Sequence, residues 1–447
     1  MMGIRLTGDG SKGKGDQGSC RETVGDVVAR QENFGGIVFD QRNGLMLELD
    51  REAFFFLLNY DKTSNYSEML RLLEREFRRS FSLGELWRLS KKLFGLGIMS
   101  TSLSSQSKEF SESNWPKTEY LSAPETVHLA VTYRCNLECS CCYVEGGDCS
   151  EDEMSLGQIR RLVDKLSELR VFQIAIGGGE PFLRSDLPEI VDVIRRRGII
   201  PNITTNGTLL TRTTLEEIAD EIGRLKISFE SGDISKKIEP VNSAGVPFGI
   251  NLILTRENIA RIEDILSLCS RLGAKDVTLL RPKPSSRDLE WWRAHRPQPA
   301  EYVRLGEKLV KLANKFGDIQ ITVDCALSFL MKGVSLTVLT YHGVYGCSAG
   351  ERFLFIAPNA DVYPCSQFTD TDHLIGNALK EDFADLWNES PVLTKFRKFR
   401  ENDAFSKTSC GKCRNVINCG GCRVITRENQ GDFYGRDPAC SQGVRRG

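Results

Sequence analysis

The sequence predicts an α/β protein built around a parallel sheet, with a winged-helix-like domain before the sheet and a Cys-rich domain after it. The chain has 447 residues, which is too long for one ordinary domain. From residue 126 to about residue 281, strand-like runs alternate with amphipathic helical segments, which is typical of parallel sheets. The 15 cysteines are clustered, four between residues 135 and 142 and seven between residues 347 and 440. In a chain of this size, such clusters indicate metal or redox chemistry.

Composition argues against several functional classes. Hydrophobic residues make up 40% of the chain and charged residues 27%, as in soluble proteins with a core. Lys and Arg total 59 and Asp and Glu total 60, for a net charge of −1, which argues against coating nucleic acid or an anionic membrane. No apolar run approaches the roughly 20 residues that span a bilayer, and the polar N-terminus is not a secretory signal. We expect a cytoplasmic protein that binds neither nucleic acid nor membranes.

The N-terminal quarter predicts a small winged-helix-like domain over residues 20–99. Residues 1–19 hold six glycines and are expected to be a disordered tail. Asn43-Gly44 between two apolar runs predicts a hairpin, and Gly97 is expected to end the last helix. The predicted helices cover residues 51–58, 65–77 and 83–96. The Ser-rich residues 100–124 predict an exposed linker.

The middle of the chain, residues 125–340, predicts the parallel sheet, and residues 341–447 form the Cys-rich domain. Strands are expected at residues 127–131, 171–176, 199–205, 224–229, 248–254 and 276–280, with helices at residues 156–169 and 187–197 and others between the later strands. In such sheets, ligands bind beyond the carboxyl ends of the strands.

The first cysteine motif follows the first strand of this sheet. Cys135, Cys139 and Cys142 stand in a C-x3-C-x2-C arrangement. A loop of this size can bring three thiolates to three corners of a cubane iron–sulfur cluster, which leaves the fourth iron open to a chelating ligand. Zinc is the alternative, although structural zinc sites normally have four protein ligands.

This motif resembles that of the radical S-adenosylmethionine (SAM) superfamily. The resemblance implies that Cys135, Cys139 and Cys142 hold a [4Fe–4S] cluster whose open iron is chelated by the amino and carboxylate groups of SAM. It also implies that the parallel sheet is a partial (β/α)6 barrel. Cys141 stands where the family often has an aromatic residue, and the spacing favours Cys142 over Cys141 as the third ligand.

Further motifs support the resemblance and imply cofactor contacts. Gly178, Gly179 and Glu180 match the family's Gly-Gly-Glu-Pro motif, which contacts the amino group of SAM. Thr205 and Asn206 end the next strand, and Ser228 ends the one after, where the family places a polar contact to the ribose. Buried polar residues at strand ends are the alternative interpretation for the last three.

The seven C-terminal cysteines form a second pattern. Their two C-x2-C pairs could form a zinc ribbon, but three cysteines would remain unexplained. The pattern resembles the SPASM extension of radical SAM enzymes, which carries two auxiliary [4Fe–4S] clusters. By similarity, one auxiliary cluster is held by Cys410, Cys413, Cys419 and Cys440 and the other by Cys347, Cys365 and Cys422.

Two departures from the SPASM pattern affect the second of these sets. The family usually has Gly where this chain has Ala360, and three residues where this chain has two, between Cys419 and Cys422. The sequence does not determine the fourth ligand of the cluster at Cys347, Cys365 and Cys422. The alternatives are another thiol such as Cys325, a thiol of the substrate, or no ligand.

The N-terminal domain resembles the peptide-recognition domain of maturases that act on ribosomally made peptides. The resemblance implies that residues 20–99 bind the leader of a precursor peptide, which adds a strand to the hairpin edge. A purely structural or dimerising role is the alternative.

Together these features predict a radical SAM peptide maturase with three [4Fe–4S] clusters. The resemblance implies formation of a 5′-deoxyadenosyl radical and of a crosslink in the peptide, with a thioether as the first expectation. A reductase, flavodoxin or ferredoxin would supply electrons. The alternatives are a maturase of a folded enzyme of the sulfatase or quinohemoprotein type, a tetrapyrrole decarboxylase, and a non-catalytic iron–sulfur carrier or sensor. The sequence determines neither the substrate nor a catalytic base.

Overall fold

The computed structural model of the protein describes residues 2–6, 27–99, 115–144, 146–147, 152–229, 234–284, 287–331, 340–341 and 346–440. The chain divides into two compact units, Met1–Ser122 and Ala123–Gly447. No helix within the described ranges combines the length and the hydropathy needed to cross a membrane.

The first unit is a four-stranded antiparallel sheet followed by three helices. Its strands are β1 (Ile4–Leu6), β2 (Val27–Glu32), β3 (Gly35–Asp40) and β4 (Leu45–Asp50), in the order β1-β4-β3-β2. The helices are α1 (Arg51–Asn59), α2 (Tyr66–Phe77) and α3 (Leu83–Gly95). The predicted hairpin strands correspond to β3 and β4, and all three predicted helices lie within a residue or two of the observed ones.

Local side chains explain where these elements begin and end. Gly44 adopts the left-handed conformation with φ of 72° in the turn between β3 and β4. The Asp50 carboxylate accepts a hydrogen bond from Ala53 N at 2.8 Å and so caps the start of α1. Ser82 and Glu85 form a capping box at the start of α3. Gly97, with φ of 77°, ends α3 as expected.

One expectation for the first unit is wrong over part of its length. The disordered tail was expected to include residues 4–6, but these form β1, because the edge of β4 offers unpaired backbone groups that they can bond. The remainder of that tail, residues 7–19, lies outside the described residues. In the hairpin itself, β2 pairs with β3 and β1 pairs with part of β4.

The predicted linker is also wrong over its second half. Trp115 is only 6% exposed and packs against Phe54, with ring centroids 6.2 Å apart. Ser122 N donates to the buried Glu32 carboxylate at 2.7 Å. Burial of a large aromatic ring and satisfaction of a buried carboxylate both favour order here, so residues 115–122 belong to the first unit. Residues 100–114 lie outside the described residues.

The second unit is built on one large sheet. Its strands are β5 (Thr126–Thr132), β6 (Gln173–Gly178), β7 (Ile200–Thr205), β8 (Arg224–Phe229), β9 (Phe248–Ile253), β10 (Asp276–Leu280), β11 (Gln320–Val323), β12 (Thr340–Tyr341), β13 (Phe353–Ile356), β14 (Asp361–Tyr363) and β15 (Gly376–Asn377). Strands β5 to β12 are parallel and lie in consecutive order, while β13 pairs with the other side of β5. The sheet therefore continues across the expected domain boundary at residues 340/341.

Helices connect the successive parallel strands, which confirms the partial (β/α)6 barrel. Those between β5 and β11 are α4 (Leu156–Glu168), α5 (Leu187–Arg196), α6 (Arg212–Glu216), α7 (Ser235–Ser243), α8 (Arg256–Ile259), α9 (Ile262–Arg271), α10 (Leu289–His295) and α11 (Pro299–Lys315). Four short helices follow in the Cys-rich segment: α12 (Phe383–Glu389), α13 (Pro391–Arg397), α14 (Asp403–Ser406) and α15 (Arg423–Gln430).

The two faces of the parallel sheet differ in polarity. On β8, Leu225 and Ile227 are fully buried, whereas Lys226 and Ser228 alternate with them on the opposite face. On that face Ser228 lies in register with Asn251 of β9, which in turn pairs with Thr278 of β10. One face of the sheet therefore carries a row of polar side chains.

Candidate functional site

The first cysteine motif lies in a closed loop at the carboxyl end of β5. Cys135 N donates to Gly147 O at 3.0 Å and Gly147 N donates to Tyr133 O at 3.1 Å, which joins the two ends of the loop. Burial raises the pKa of Cys135, and the charges of Glu180 and Cys142 raise it further. The closed loop thus lies beyond the strand end, where ligands of parallel sheets bind.

The end of β6 packs directly against this loop. A Cβ added at Gly179 would overlap the carbonyl oxygen of Arg134 and lie 2.6 Å from that of Tyr133. Gly178 has φ of 122° and approaches Thr132 O equally closely. The close approach expected of these glycines is therefore to the backbone around the cysteine loop, which they hold in place.

Glu180 connects the end of β6 to the end of β7. Its buried carboxylate accepts hydrogen bonds from Thr205 Oγ1 at 2.8 Å, Asn206 N at 2.7 Å and Phe182 N at 3.1 Å. Burial raises the pKa of Glu180, against the lowering effect of these three donors. Glu180 and Thr205, both expected near SAM, thus bond to each other.

Asn206 connects the end of β7 to the cysteine loop. Its Nδ2 donates to Asn136 Oδ1 at 2.9 Å and lies 4.0 Å from the Cys135 sulfur. Asn136 Nδ2 in turn donates to Thr208 Oγ1 at 2.8 Å. The structure therefore brings Cys135, Glu180, Thr205 and Asn206 together. Sequence reasoning missed Asn136 and Thr208, because their partners lie about seventy residues away in the chain.

Ser228 and Glu153 complete the surroundings of the site. Ser228 lies near the carboxyl end of β8, one strand beyond Thr205, on the polar face of the sheet. Glu153 receives a hydrogen bond from Thr132 Oγ1 and pairs with Arg134 at 3.0 Å. No motif singled out Glu153, yet it anchors the start of the cysteine loop.

One C-terminal cysteine set lines a single cavity. The cavity wall contains Asp437, Phe329 and the four sulfur-bearing residues Cys410, Cys413, Cys419 and Cys440. This is the set assigned by similarity to one auxiliary cluster. Burial raises the pKa of Cys419 to about 12, so this thiol loses its proton at neutral pH only when a metal replaces it.

The other C-terminal set lies beside the first. Cys347 and Cys365 pack against the same apolar cluster that contains the buried Cys422. Burial raises the pKa of Cys347 to about 11 and that of Cys365 to about 12, and the charge of Cys422 adds to both shifts. The structure therefore brings these three thiols together as well.

Glycines allow the two sets to interleave. Gly420 and Gly421, between Cys419 and Cys422, both adopt the left-handed conformation with φ of 71° and 76°. Gly346, which precedes Cys347, lies so close to Cys419 O that no Cβ could fit. The two-residue turn therefore sends Cys419 to one set and Cys422 to the other.

Ala360 is itself the other departure from the SPASM pattern. It lies in the turn between β13 and β14, where its N donates to Ala357 O at 2.9 Å. Its φ of 72° is the left-handed conformation in which glycine is normally found. The turn is thus kept without the glycine, in a conformation that an alanine rarely adopts.

Buried charges test whether these sets fit iron–sulfur clusters. The Arg423 side chain is fully buried and donates to the carbonyl oxygens of Phe433 at 2.7 Å and Gly435 at 3.1 Å, while its Nε has no hydrogen-bond partner among the described residues. A buried cation needs a counter-charge, and its negative neighbours are Asp437 and, when ionised, Cys347, Cys410 and Cys422. Clusters bearing thiolates fit this environment.

A single zinc ion fits less well. Across the described ranges, no three His, Cys, Asp or Glu side chains converge closely enough to hold one metal ion. Zinc needs sulfur atoms at about 2.3 Å from a common centre, whereas a cubane cluster binds sulfurs at its four separate corners.

Comparisons with known proteins agree with this geometry. The family described as the radical SAM superfamily matches residues 129–283, and an iron–sulfur cluster-binding domain named SPASM matches residues 347–419. The mycofactocin maturase of Mycobacterium tuberculosis is 30% identical over 345 residues, which is 72% of this chain and 84% of the relative.

A second relative and a solved structure cover different parts of the chain. The AdoMet-dependent heme synthase of Methanosarcina barkeri is 27% identical over 71% of this chain and 96% of its own length. The structure of Streptococcus suis SuiB bound to its precursor peptide SuiA has a TM-score of 0.70 at 20% identity, and covers 93% of this chain and 98% of SuiB.

Proposed function

Because the chain belongs to the radical SAM superfamily and carries a SPASM domain, we propose that this enzyme installs a crosslink in a ribosomally synthesised precursor peptide. The observation that carries the proposal is that one chain combines three features. They are a cysteine loop joined to the ends of β6 and β7, two further sets of thiols, and a separate N-terminal unit. A simple electron carrier needs no loop with three cysteines and an open iron.

The enzyme would hold three [4Fe–4S] clusters and SAM. Cys135, Cys139 and Cys142 would ligate the catalytic cluster, and the C-terminal sets would ligate two auxiliary clusters. When bound and reduced, the catalytic cluster would supply the cleavage of SAM to methionine and a 5′-deoxyadenosyl radical. The chain would position SAM with Gly178, Gly179 and Glu180 on one side, Thr205 and Asn206 on the next strand, and Ser228 toward the ribose.

The crosslink requires the removal of two hydrogen atoms from the peptide. One leaves as a hydrogen atom to the adenosyl radical. The other leaves as a proton together with one electron as the new bond closes, and an auxiliary cluster would take that electron. A thioether from a peptide cysteine is the first candidate product. A reductase, flavodoxin or ferredoxin would supply the electron that cleaves SAM.

The N-terminal unit supports a peptide substrate. Leu83, Trp87 and Phe94 are 54%, 56% and 66% exposed. At 3.6 residues per turn these positions share one face of α3, and exposed apolar stripes mark binding surfaces. Beside it, β4 is an incompletely covered sheet edge to which a leader strand could add.

A tetrapyrrole substrate is the second candidate, since the heme synthase relative is nearly as similar in sequence. Its alignment covers 71% of this chain, about the same share as the 72% of the mycofactocin maturase, so the extent of the sequence alignment does not separate the two candidates. The fold of SuiB, whose structure was solved with a precursor peptide, extends over 93% of the chain and so includes most of the N-terminal unit. The N-terminal unit therefore favours the peptide.

The test starts with a search for a short Cys-rich reading frame beside the gene. The encoded peptide is then assayed anaerobically with the reconstituted full chain, SAM and a strong reductant. We expect 5′-deoxyadenosine and a peptide lighter by two hydrogen atoms. Replacement of Cys135, Cys139 and Cys142 by Ala should abolish both products and leave roughly two-thirds of the iron. A parallel assay supplies an iron porphyrinoid with propionate side chains in place of the peptide. Its decarboxylation there, together with an unmodified peptide in the first assay, would establish the second candidate instead.

A further inference from the structure

Cys325 is the residue whose role the sequence pattern leaves open. It follows β11 and begins a 3-10 helix, Cys325–Met331. The preceding residue, Asp324, fixes this position: its carboxylate accepts hydrogen bonds from Ala326 N at 3.0 Å, Arg281 N at 3.2 Å and Lys283 Nζ at 2.7 Å. The end of β10 therefore determines where the Cys325 side chain stands.

The structure brings Cys325 to the three-thiol set of the Cys-rich segment. Ala326, its neighbour, belongs to the apolar cluster that contains Cys422 and against which Cys347 and Cys365 pack. Arg281 Nη1 donates to Ala326 O at 2.9 Å and to Asp437 Oδ2 at 2.7 Å.

Asp437 Oδ2 also accepts a hydrogen bond from Cys422 N at 3.0 Å. The paired side chains of Arg281 and Asp437 thus link the backbone next to Cys325 to the backbone of Cys422.

Lys283 places a positive charge beside Cys325. Its Nζ donates to Asp324 Oδ2 at 2.7 Å and to Arg281 O at 3.2 Å, so the ammonium group lies next to the residue that precedes Cys325.

We propose that Cys325 is the fourth thiolate ligand of the auxiliary cluster held by Cys347, Cys365 and Cys422. This rests on the proposed function only in assuming that a cluster binds there. With four thiolates, each iron has a protein ligand, and the cluster has no iron open to a substrate thiol. It transfers electrons without binding the peptide, and Lys283 offsets part of its negative charge. The crosslinking atoms must then meet at the SAM site.

The experiment asks whether the auxiliary clusters have an open iron. The experiment uses the full chain with Cys135, Cys139 and Cys142 replaced by Ala. This removes the catalytic cluster, whose fourth iron has no protein ligand and would itself bind the probe. The reduced protein is treated with 13C-cyanide, and 13C coupling is measured by electron–nuclear double resonance. We expect no coupling. A 13C coupling in this protein, which still contains Cys325, would show an open iron and would overturn the proposal.

Adding Cys325→Ala to the same protein should expose one iron. Either 13C coupling should appear, or one iron should be lost with the signal of a three-iron cluster. Retention of about eight irons per chain with no coupling would overturn the proposal. The matched control is Cys269→Ser, because Cys269 is buried on α9, away from these sets; it should leave the spectra unchanged. Neither result depends on peptide modification, so failure here and failure of the proposed function are distinguishable.

Discussion

Arg281 and Asp437 form a buried bidentate ion pair, with Nη1–Oδ2 and Nη2–Oδ1 distances of 2.7 and 2.8 Å. They are 156 residues apart in the chain. Although Asp437 is buried, its pKa is lowered by the Arg281 charge. Arg281 follows β10 of the barrel, whereas Asp437 lies in the wall of the cavity lined by Cys410, Cys413, Cys419 and Cys440. The pair therefore attaches the Cys-rich segment to the barrel.

Asp437→Leu should destabilise the second unit strongly. Loss of the carboxylate leaves Arg281 charged and unpaired in the interior, which costs about 3–5 kcal/mol in free energy of unfolding. The double variant Arg281→Met/Asp437→Leu should recover part of this loss, because no charge is then left uncompensated. Thermal unfolding of the anaerobically purified chain, followed by circular dichroism, measures both.

A matched control is Arg212→Ala. Arg212 pairs with Glu216 on the surface of α6, with side chains 68% and 51% exposed, and exposed pairs contribute little. We expect no measurable change in its melting temperature. Equal stability of Asp437→Leu and the unaltered chain would contradict the anchoring role.

Periodicity and spacing predicted much of this architecture. Strands β8 and β10 occur at the residues predicted, 224–229 and 276–280, because β8 alternates buried apolar with polar residues and β10 is a short, mostly buried run, and both are strand patterns. Cys410, Cys413, Cys419 and Cys440, which the resemblance groups together, line one cavity, and the assignment of both C-terminal sets as cluster ligands stays a prediction.

Features that depend on distant partners could not be predicted. The β1 strand has three residues, and only the edge of β4 gives it a structure. Trp115 is part of a core although its neighbours are Ser-rich and polar, because Phe54 provides the surface on which it packs. Likewise, the sequence left Cys325 as one of three possibilities for the fourth ligand, because the contacts that connect its neighbour Ala326 to Cys422 run through Arg281 and Asp437, which lie 156 residues apart.

Gly179→Ala should disrupt the catalytic cluster without unfolding the barrel. The added methyl group would overlap Arg134 O and lie 2.6 Å from Tyr133 O, so the cysteine loop must move. We expect the reconstituted variant to lose roughly one-third of its iron, because one of three clusters is affected, and to lose cleavage of SAM. Iron analysis and quantification of 5′-deoxyadenosine measure the two effects.

Gly177→Ala provides the control two residues away. A Cβ at Gly177 meets nothing within 4 Å, so its iron content should equal that of the unaltered chain. If Gly179→Ala also keeps its full iron content, the close packing between β6 and the loop is not needed for cluster binding.

Trp87→Ala combined with Phe94→Ala should weaken binding of the leader peptide. Both side chains are more than half exposed on α3, so their removal should barely change the stability of the first unit. Buried aromatic anchors commonly contribute more than 1 kcal/mol to binding, and we expect affinity to fall by about tenfold or more. Fluorescence anisotropy of a labelled leader measures it.

The control for this surface is Lys91→Ala on the same helix. The Lys91 ammonium lies over the Trp87 ring at 5.0 Å from its centroid, so the substitution alters the charge and leaves both aromatic rings in place. Its effect should be smaller. Unchanged leader affinity in the aromatic double variant would assign another surface to the leader.

Deletion of residues 1–6 tests which sheet edge receives the leader. Strand β1 pairs with only Leu47–Leu49 of the six-residue β4, and Asp50 N donates to Gly3 O at 3.2 Å. Lys92 of α3 donates to Ile4 O at 3.3 Å, which places β1 beside the helix that carries the exposed aromatic rings. A leader strand that adds to β4 must therefore displace β1.

The deletion should strengthen leader binding. Each backbone hydrogen bond contributes about 0.5–1.5 kcal/mol net, against about 1–2 kcal/mol per ordered residue, so β1 is held only weakly. Removing this competitor should raise leader affinity by about three- to tenfold, since binding no longer requires an opening step. A chain with residues 3–6 changed to a Gly-Ser sequence keeps its length and should behave like the deletion. Equal or weaker affinity in both variants would mean that the leader does not displace β1, and would direct attention to the edge of β2 instead.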